Sequence, residues 1–102
     1  MDDRTEPSAE ELGARLFRAL GSPIRLQMLR AIAQEDRCVH ALVDLTGASQ
    51  PLVSQHLRVL RQANLLQARK VGREMHYRLA DQHIAHIVAD AMAHAAEHRP
   101  PN

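Results

Sequence analysis

Aromatic residues and cysteine are nearly absent from this sequence. Tryptophan is missing, aromatic side chains make up 2% of the 102 residues, and Cys38 is the single cysteine. One thiol excludes an internal disulfide framework. Because hydrophobic residues still reach 45%, the core must be built from aliphatic side chains and methionine, which favours a helical protein.

Long apolar runs are absent as well. No stretch approaches the roughly 20 apolar residues of a membrane-spanning helix. The first residues, Met1-Asp2-Asp3-Arg4, lack the basic-then-apolar layout of a signal peptide. We therefore expect a cytoplasmic protein with no membrane partner. A chain of this length forms one small domain, near the size at which oligomerisation often completes a modest core.

Charge is unevenly distributed in a chain whose net charge is only +1. The segment from Thr46 to Ala80 contains six basic residues and one acidic residue, so its net charge is +5. The rest of the chain contains seven basic and eleven acidic residues, so its net charge is −4. A basic central block is typical of a surface that meets phosphates, although a solvated charged face looks similar.

Local signals predict a domain over residues 8–98, with polar tails at 1–7, which we expect to be disordered, and 99–102. Ser8 and Glu11 form a capping-box pattern that opens a helix ending near Leu20. Ser22-Pro23 opens a second helix, which ends near Gln34. A third helix is predicted from Cys38 to Leu45, with three residues facing inward: Val39, Leu42 and Leu45.

A helix-turn-helix is predicted next. Thr46-Gly47 closes the third helix, and Ser49 caps a new helix in which Pro51 is tolerated in the first turn. We expect four residues of this helix to pack: Leu52, Val53, Leu57 and Leu60. The helix would enter the DNA major groove, presenting mostly polar residues to bases or phosphates: Ser49, Gln50, Ser54, Gln55, His56 and Arg58.

Two strands follow, over 65–70 and 75–79. The alternation of Met75, Tyr77 and Leu79 with polar residues indicates one buried face. This β-hairpin would be a wing, and its three basic residues near the tip, Arg69, Lys70 and Arg73, are placed to contact the DNA backbone.

The last helix, predicted from Asp81 to about His98, carries the metal-binding pattern. His83 and His94 are eleven positions apart, so they share a face within roughly 20° but lie roughly 16 Å apart along the axis. A single helix therefore cannot close a site. An antiparallel copy would bring Asp81 and His83 of one chain against His94 and Glu97 of the other, which gives two four-ligand sites per dimer. These ligands suit Zn(II), with cobalt or nickel as imitators.

Other interpretations of this helix stay open. Asp81 is also a natural N-cap. The histidines on one face could instead have their hydrogen bonds satisfied at the dimer interface of a metal-independent DNA-binding regulator. An enzyme is not expected, because four protein ligands leave no open position on the ion and no nucleophile arrangement is present.

Taken together, the segments resemble the ArsR/SmtB family of winged-helix metal-sensing repressors. Five stretches carry the resemblance: Leu20-Gly21-Ser22-Pro23-Ile24-Arg25-Leu26, Arg37-Cys38-Val39-His40-Ala41-Leu42, the recognition stretch 50–60, Gly72-Arg73-Glu74, and the terminal pattern of Asp81, His83, His94 and Glu97. It implies a mostly α fold with a small β-hairpin, ordered α1-α2-α3-αR-β-β-α5. It also implies a homodimer joined through its first and last helices, which binds an inverted repeat in double-stranded operator DNA and takes no small organic substrate.

Within that family the terminal pattern resembles the α5 zinc-sensing class, in which zinc lowers DNA affinity. The resemblance maps the ligands onto Asp81, His83, His94 and Glu97. Sensing of cobalt, nickel or cadmium remains an alternative. The chain departs from the thiolate-based sensors because Cys38 has no second cysteine nearby, so Cys38 and His40 are expected at most to form a secondary site.

Overall fold

The computed structural model describes residues 6–101. The part of the predicted N-terminal tail before residue 6 lies outside this range. Five helices and three short strands occupy the described residues. In chain order they are α1 (Ala9–Leu20), α2 (Pro23–Gln34), β1 (Arg37–Cys38), α3 (Val39–Thr46), α4 (Gln50–Gln62), β2 (Leu66–Val71), β3 (Glu74–Leu79) and α5 (Gln82–Glu97).

The starts of the first two helices follow the predicted local signals. The Ser8 hydroxyl accepts from the Glu11 N–H at 3.0 Å, and the Glu11 carboxylate accepts from the Ser8 N–H at 3.3 Å. These bonds satisfy N–H groups that have no partner inside the helix. Ser22 caps α2 in the same way, accepting from the Arg25 N–H at 3.3 Å, with Pro23 in the first turn.

The helix-turn-helix consists of α3 and α4. Gly47 ends α3 with φ of 72°, a left-handed conformation that costs glycine little. Ser49 then caps α4 by accepting from the Leu52 N–H at 3.3 Å. The predicted inward orientation is wrong for two residues, because Leu45 is 44% exposed and Leu52 is 38% exposed. Residues at i+3 spacing drift by about 60° per step, which carries Leu45 away from the face of buried Leu42.

The predicted wing is confirmed as an antiparallel pair, β2 and β3, turned by Gly72 at φ 63°. The structure adds a third strand that the sequence did not indicate. Arg37 pairs with Tyr77 and Cys38 with His76, so β3 lies between β1 and β2. The predicted third helix therefore begins one residue later, and Cys38 belongs to a strand.

The hydrophobic core connects the helix-turn-helix with α2 and α5. Its fully buried side chains come from α2, α3 and α4: Met28, Leu29, Leu42, Val53, Leu57 and Leu60. Burying each such side chain stabilises the fold by about 1.5–3 kcal/mol. From α5, Ile84 and Val88 reach this core, whereas the residues after Met92 are exposed. No helix within residues 6–101 has the length and apolar character needed to cross a bilayer.

Candidate DNA interface and metal-binding helix

The outer face of α4 is polar and open to solvent. Four of the predicted DNA-contacting residues, Gln50, Ser54, Gln55 and Arg58, are exposed, while Val53, Leu57 and Leu60 fix the opposite face in the core. Ser49 is exposed too, but its hydroxyl is occupied in capping the helix. The structure therefore presents a helix anchored on one side and free to enter a groove on the other.

His56 differs from its neighbours on α4. It is half-buried, and its Nδ1 lies 3.2 Å from the Arg25 Nη1. The same guanidinium donates from Nε to the Ala19 carbonyl at 2.7 Å and from Nη2 to the Arg18 carbonyl at 3.3 Å. Burial, and then the charge of Arg25, lower the pKa of His56 from its ordinary value of 6.5. A neutral His56 accepting from Arg25 thus ties α4 to the end of α1.

The wing and α4 border a common groove. Gln50 and Ser54 line it from α4, and Arg73 and Met75 line it from the hairpin, around a volume of about 330 Å³. The side chains that the sequence placed on a helix and on a separate hairpin therefore belong to one surface.

Basic side chains continue that surface on the wing and on α4. Arg69, Lys70 and Arg73 are exposed on the wing, as predicted. A second groove, which shares Ser54 and Tyr77 with the first, is also lined by Arg58 and Arg61. Arg61 belongs to the basic central block but is not among the predicted DNA-binding residues, although its position three residues after Arg58 places both on neighbouring turns.

The first predicted metal-ligand pair lies at the start of α5. Asp81 caps the helix, its Oδ1 accepting from the Ile84 N–H at 3.2 Å. The same oxygen lies 3.0 Å from the Nδ1 of His83. Both side chains are open to solvent, with exposed fractions of 43% for Asp81 and 75% for His83. The capping and metal-binding interpretations of Asp81 are therefore geometrically compatible.

The second pair lies at the other end of the same helix. His94 and Glu97 are exposed, and one ligand atom from each can be chosen within 4.8 Å of the other. His98, which the sequence analysis did not name as a ligand, joins them in the same cluster. Its spacing of four residues from His94 is the signal that could have identified it, because i and i+4 side chains are neighbours on a helix.

The two pairs do not meet in one protomer. Asp81 and His83 are absent from the cluster at the end of α5, which is the only group of three or more such ligands among residues 6–101. This agrees with the roughly 16 Å rise between His83 and His94 along a helix. Residues from a second subunit are needed to combine them.

Cys38 and His40 stay apart from these clusters. Both line the groove between α4 and the wing. Within the described part of the chain, no third histidine, cysteine or carboxylate joins them in a cluster tight enough for one ion. The secondary site remains a prediction.

Comparison with known proteins gives the family. Residues 22–68 match the family model described as "Bacterial regulatory protein, arsR family". The transcriptional repressor SmtB of Mycobacterium tuberculosis is 51% identical over 80% of this chain and 61% of its own length. The probable mercury resistance operon repressor of Streptomyces lividans is 38% identical over 82% of this chain and 67% of its own length. The chain belongs to the ArsR family.

A solved structure supports this assignment to the ArsR family. The homodimeric winged helix-turn-helix DNA-binding domain from Mycobacterium bovis superposes with a TM-score of 0.82 at 31% identity, covering 98% of this chain and 94% of the other. The predicted winged helix-turn-helix fold is thereby confirmed. This ArsR-family chain spans 61% of the length of the M. tuberculosis SmtB that it matches.

Proposed function

We propose that this chain is a metal-responsive transcriptional repressor. In this proposal a homodimer binds an inverted repeat in operator DNA, and Zn(II) bound between the two α5 helices lowers its affinity for that DNA. Such a protein acts where the DNA is, in the cytoplasm. The observation that carries the proposal is the placement of two incomplete ligand pairs at opposite ends of one exposed helix face, Asp81 with His83 and His94 with Glu97.

The DNA-binding part of the proposal is supported by the joined surface of α4 and the wing. Polar side chains line the exposed face of α4, and cations flank it at Arg58, Arg61 and Arg73. Cations that contact phosphates fix a helix in the groove, while the side chains of the helix read base edges. The proposed sequence-reading residues are Gln50, Ser54 and Gln55.

The dimer is supported by apolar surface on α1 and small residues on α5. Phe17 is 66% exposed and Leu12 is 52% exposed. Exposed large apolar side chains that cluster on one element are typical of an interaction surface. On α5 the exposed Ala91 and Ala95 would allow close approach of another helix.

The donor atoms fit zinc. Two ligands bound at about 2.0 Å with a tetrahedral angle lie roughly 3.3 Å apart, and Asp81 Oδ1 and His83 Nδ1 already lie 3.0 Å apart. His94 and Glu97 of the partner subunit would supply an imidazole and a carboxylate to complete the set. These ligands contain no thiolate, so they favour zinc, cobalt or nickel over ions that prefer sulfur.

The proposed metal response depends on a difference between two subunit arrangements, one that binds DNA and one that binds the metal. Repression requires the two α4 helices to be about one DNA turn apart. Metal binding requires the two α5 helices to run antiparallel at ligand distance. If these demands favour different subunit arrangements, the metal lowers DNA affinity, and DNA must lower metal affinity by the same factor.

The test uses a fluorescein-labelled duplex recovered by selection from a random-sequence library with the wild-type protein. Fluorescence anisotropy of the complex is followed as Zn(II) is added, for wild type, His83→Ala and His94→Ala. We expect zinc to release the wild type from DNA and to leave both variants bound. His86→Ala is the matched control, because His86 is an exposed histidine on α5 outside both ligand pairs.

Three outcomes separate the proposal from its alternatives. A protein that binds the duplex but neither binds zinc nor responds to it is a metal-independent regulator. Zinc binding with unchanged DNA affinity indicates a structural or buffering site. Release by cobalt or nickel at lower free concentration than zinc keeps the mechanism and changes the metal.

A further inference from the structure

We propose that His94, Glu97 and His98 form a three-ligand metal site within a single protomer. The site would take one divalent first-row cation before the partner subunit contributes. This inference rests on the proposed metal response, because it adds a ligand to one half of the same site. The new element is His98, which lies outside the four-ligand pattern.

The geometry of the helix end supports a shared ion. One ligand atom from each of the three side chains can be chosen so that all lie within 4.8 Å of one another, and the His94 and His98 ring centroids are 4.4 Å apart. Ligands at about 2.0–2.1 Å from one ion are separated by roughly 3.0–3.3 Å. Because all three side chains are exposed, rotamer changes can bring their atoms to that separation.

The position of His98 is fixed by the end of α5. It is the C-cap residue, and its N–H donates to the carbonyls of Ala95 and Ala96. A helix C-terminus carries a partial negative charge of about −0.5, which favours a cation bound nearby. The Glu97 carboxylate adds a full negative charge, so the end of α5 attracts a divalent cation even without the partner.

Two imidazoles and one carboxylate determine which metal ions the site would accept. This set, with open positions, suits Zn(II), Co(II) and other first-row divalent ions that accept nitrogen and oxygen ligands. Three ligands from one chain leave at least one position, to be filled by water or by Asp81 or His83 of the partner subunit. We infer that each protomer captures its ion at this end of α5 and that dimer contacts complete the coordination afterwards.

The experiment removes the partner's contribution and keeps the three-ligand site. The double variant Asp81→Asn/His83→Ala is titrated with Co(II), following the visible absorption bands and the number of ions bound per protomer. Asparagine preserves the N-cap of α5, and far-UV circular dichroism checks the fold. His98→Ala and, separately, Glu97→Gln are then added to the double variant, with His86→Ala as the matched control.

We expect the double variant to bind one Co(II) per protomer. Removing even an outer hydrogen-bond partner of a ligand typically lowers metal affinity about 10–100-fold, so loss of His98 should lower it by roughly 100-fold or more. Glu97→Gln should weaken binding as well, and His86→Ala should leave it unchanged. Full binding by wild type with none by the double variant overturns this inference and leaves the proposed function standing, as does a double variant whose Co(II) affinity is unchanged by His98→Ala. Absence of any Co(II) or Zn(II) binding by wild type overturns both.

Discussion

Asp81 and His83 are joined through one oxygen atom, since the Asp81 Oδ1 that caps α5 also lies 3.0 Å from the His83 Nδ1. The first turn of the helix and the first proposed metal-ligand pair therefore depend on the same carboxylate. Capping and metal binding can still be separated, because capping needs only an acceptor and zinc favours a charged ligand.

Substitution of Asp81 should separate these two roles. Asp81→Asn keeps the acceptor for the Ile84 N–H, so stability should stay near wild type, whereas Asp81→Ala should cost about 1 kcal/mol. Both variants should bind zinc more weakly. Urea unfolding and zinc titration of the two variants provide the measurements. Wild-type zinc affinity in Asp81→Asn would show that the aspartate only caps the helix.

The wing cations should contribute to DNA binding through phosphates. Each phosphate contact adds about 0.9 to the slope of log affinity against log salt. Replacing Arg69, Lys70 or Arg73 individually by alanine should therefore lower this slope by up to that amount and weaken binding to all sequences alike. Anisotropy titrations over a range of salt concentrations measure it. Arg15→Ala on exposed α1 is the control, and equal slopes in all four variants would argue against wing contact.

His56 should make stability depend on pH. Its pKa in the folded state is lowered from 6.5 by burial and by Arg25. Below pH 6.5 the unfolded chain takes up a proton at this position before the folded chain does, so stability should fall as the pH drops through that value. His56→Asn keeps an acceptor near Arg25 but does not titrate. Urea unfolding between about pH 7.5 and 5.5 should give a flatter profile for His56→Asn, and parallel profiles would contradict the prediction.

Phe17 should stabilise the dimer. Burying a side chain of this kind contributes about 1.5–3 kcal/mol, and every 1.4 kcal/mol is tenfold in affinity, so Phe17→Ser should raise the dimer dissociation constant by roughly tenfold or more. Sedimentation equilibrium measures this change. Leu45→Ser is a matched control, because Leu45 is also exposed but lies on α3. Similar weakening by both variants would place the interface elsewhere.

Asn64 has φ of 61°, the only positive value at a non-glycine among the described residues. Left-handed backbone costs roughly 1–2 kcal/mol for ordinary residues and little for glycine or asparagine. Asn64→Gly should therefore retain stability, and Asn64→Val should lose about that amount. Thermal and urea unfolding measure both variants. Equal stability of the two would exclude backbone strain at the end of α4.

The sequence predicted the elements whose signals are local. Serine caps at Ser8, Ser22 and Ser49, and glycine turns at Gly47 and Gly72, mark helix and hairpin boundaries within a few residues. Each of these depends on a bond or a dihedral angle inside one short segment, so the printed sequence contains the necessary information.

Features that depend on distant segments were missed. The strand Arg37–Cys38 exists because β3 lies beside it, and nothing in two residues indicates partners that come 40 and 38 positions later. The contact of Arg25 with His56 likewise joins residues 31 apart. On α5, by contrast, the four-residue spacing of His94 and His98 is a local signal, but His98 lies outside the four-residue family pattern and was not predicted as a ligand.

The short strand β1 has a mechanical consequence. Its two pairs with Tyr77 and His76 hold the flank of the hairpin, and the Ala80 N–H bond to the Leu65 carbonyl fastens its root. Because the hairpin is held at its flank and at its root, we expect it to move together with the neighbouring helices rather than independently of them. Under the proposed function, zinc would then change the distance between the two DNA-binding surfaces of the dimer without reshaping either surface.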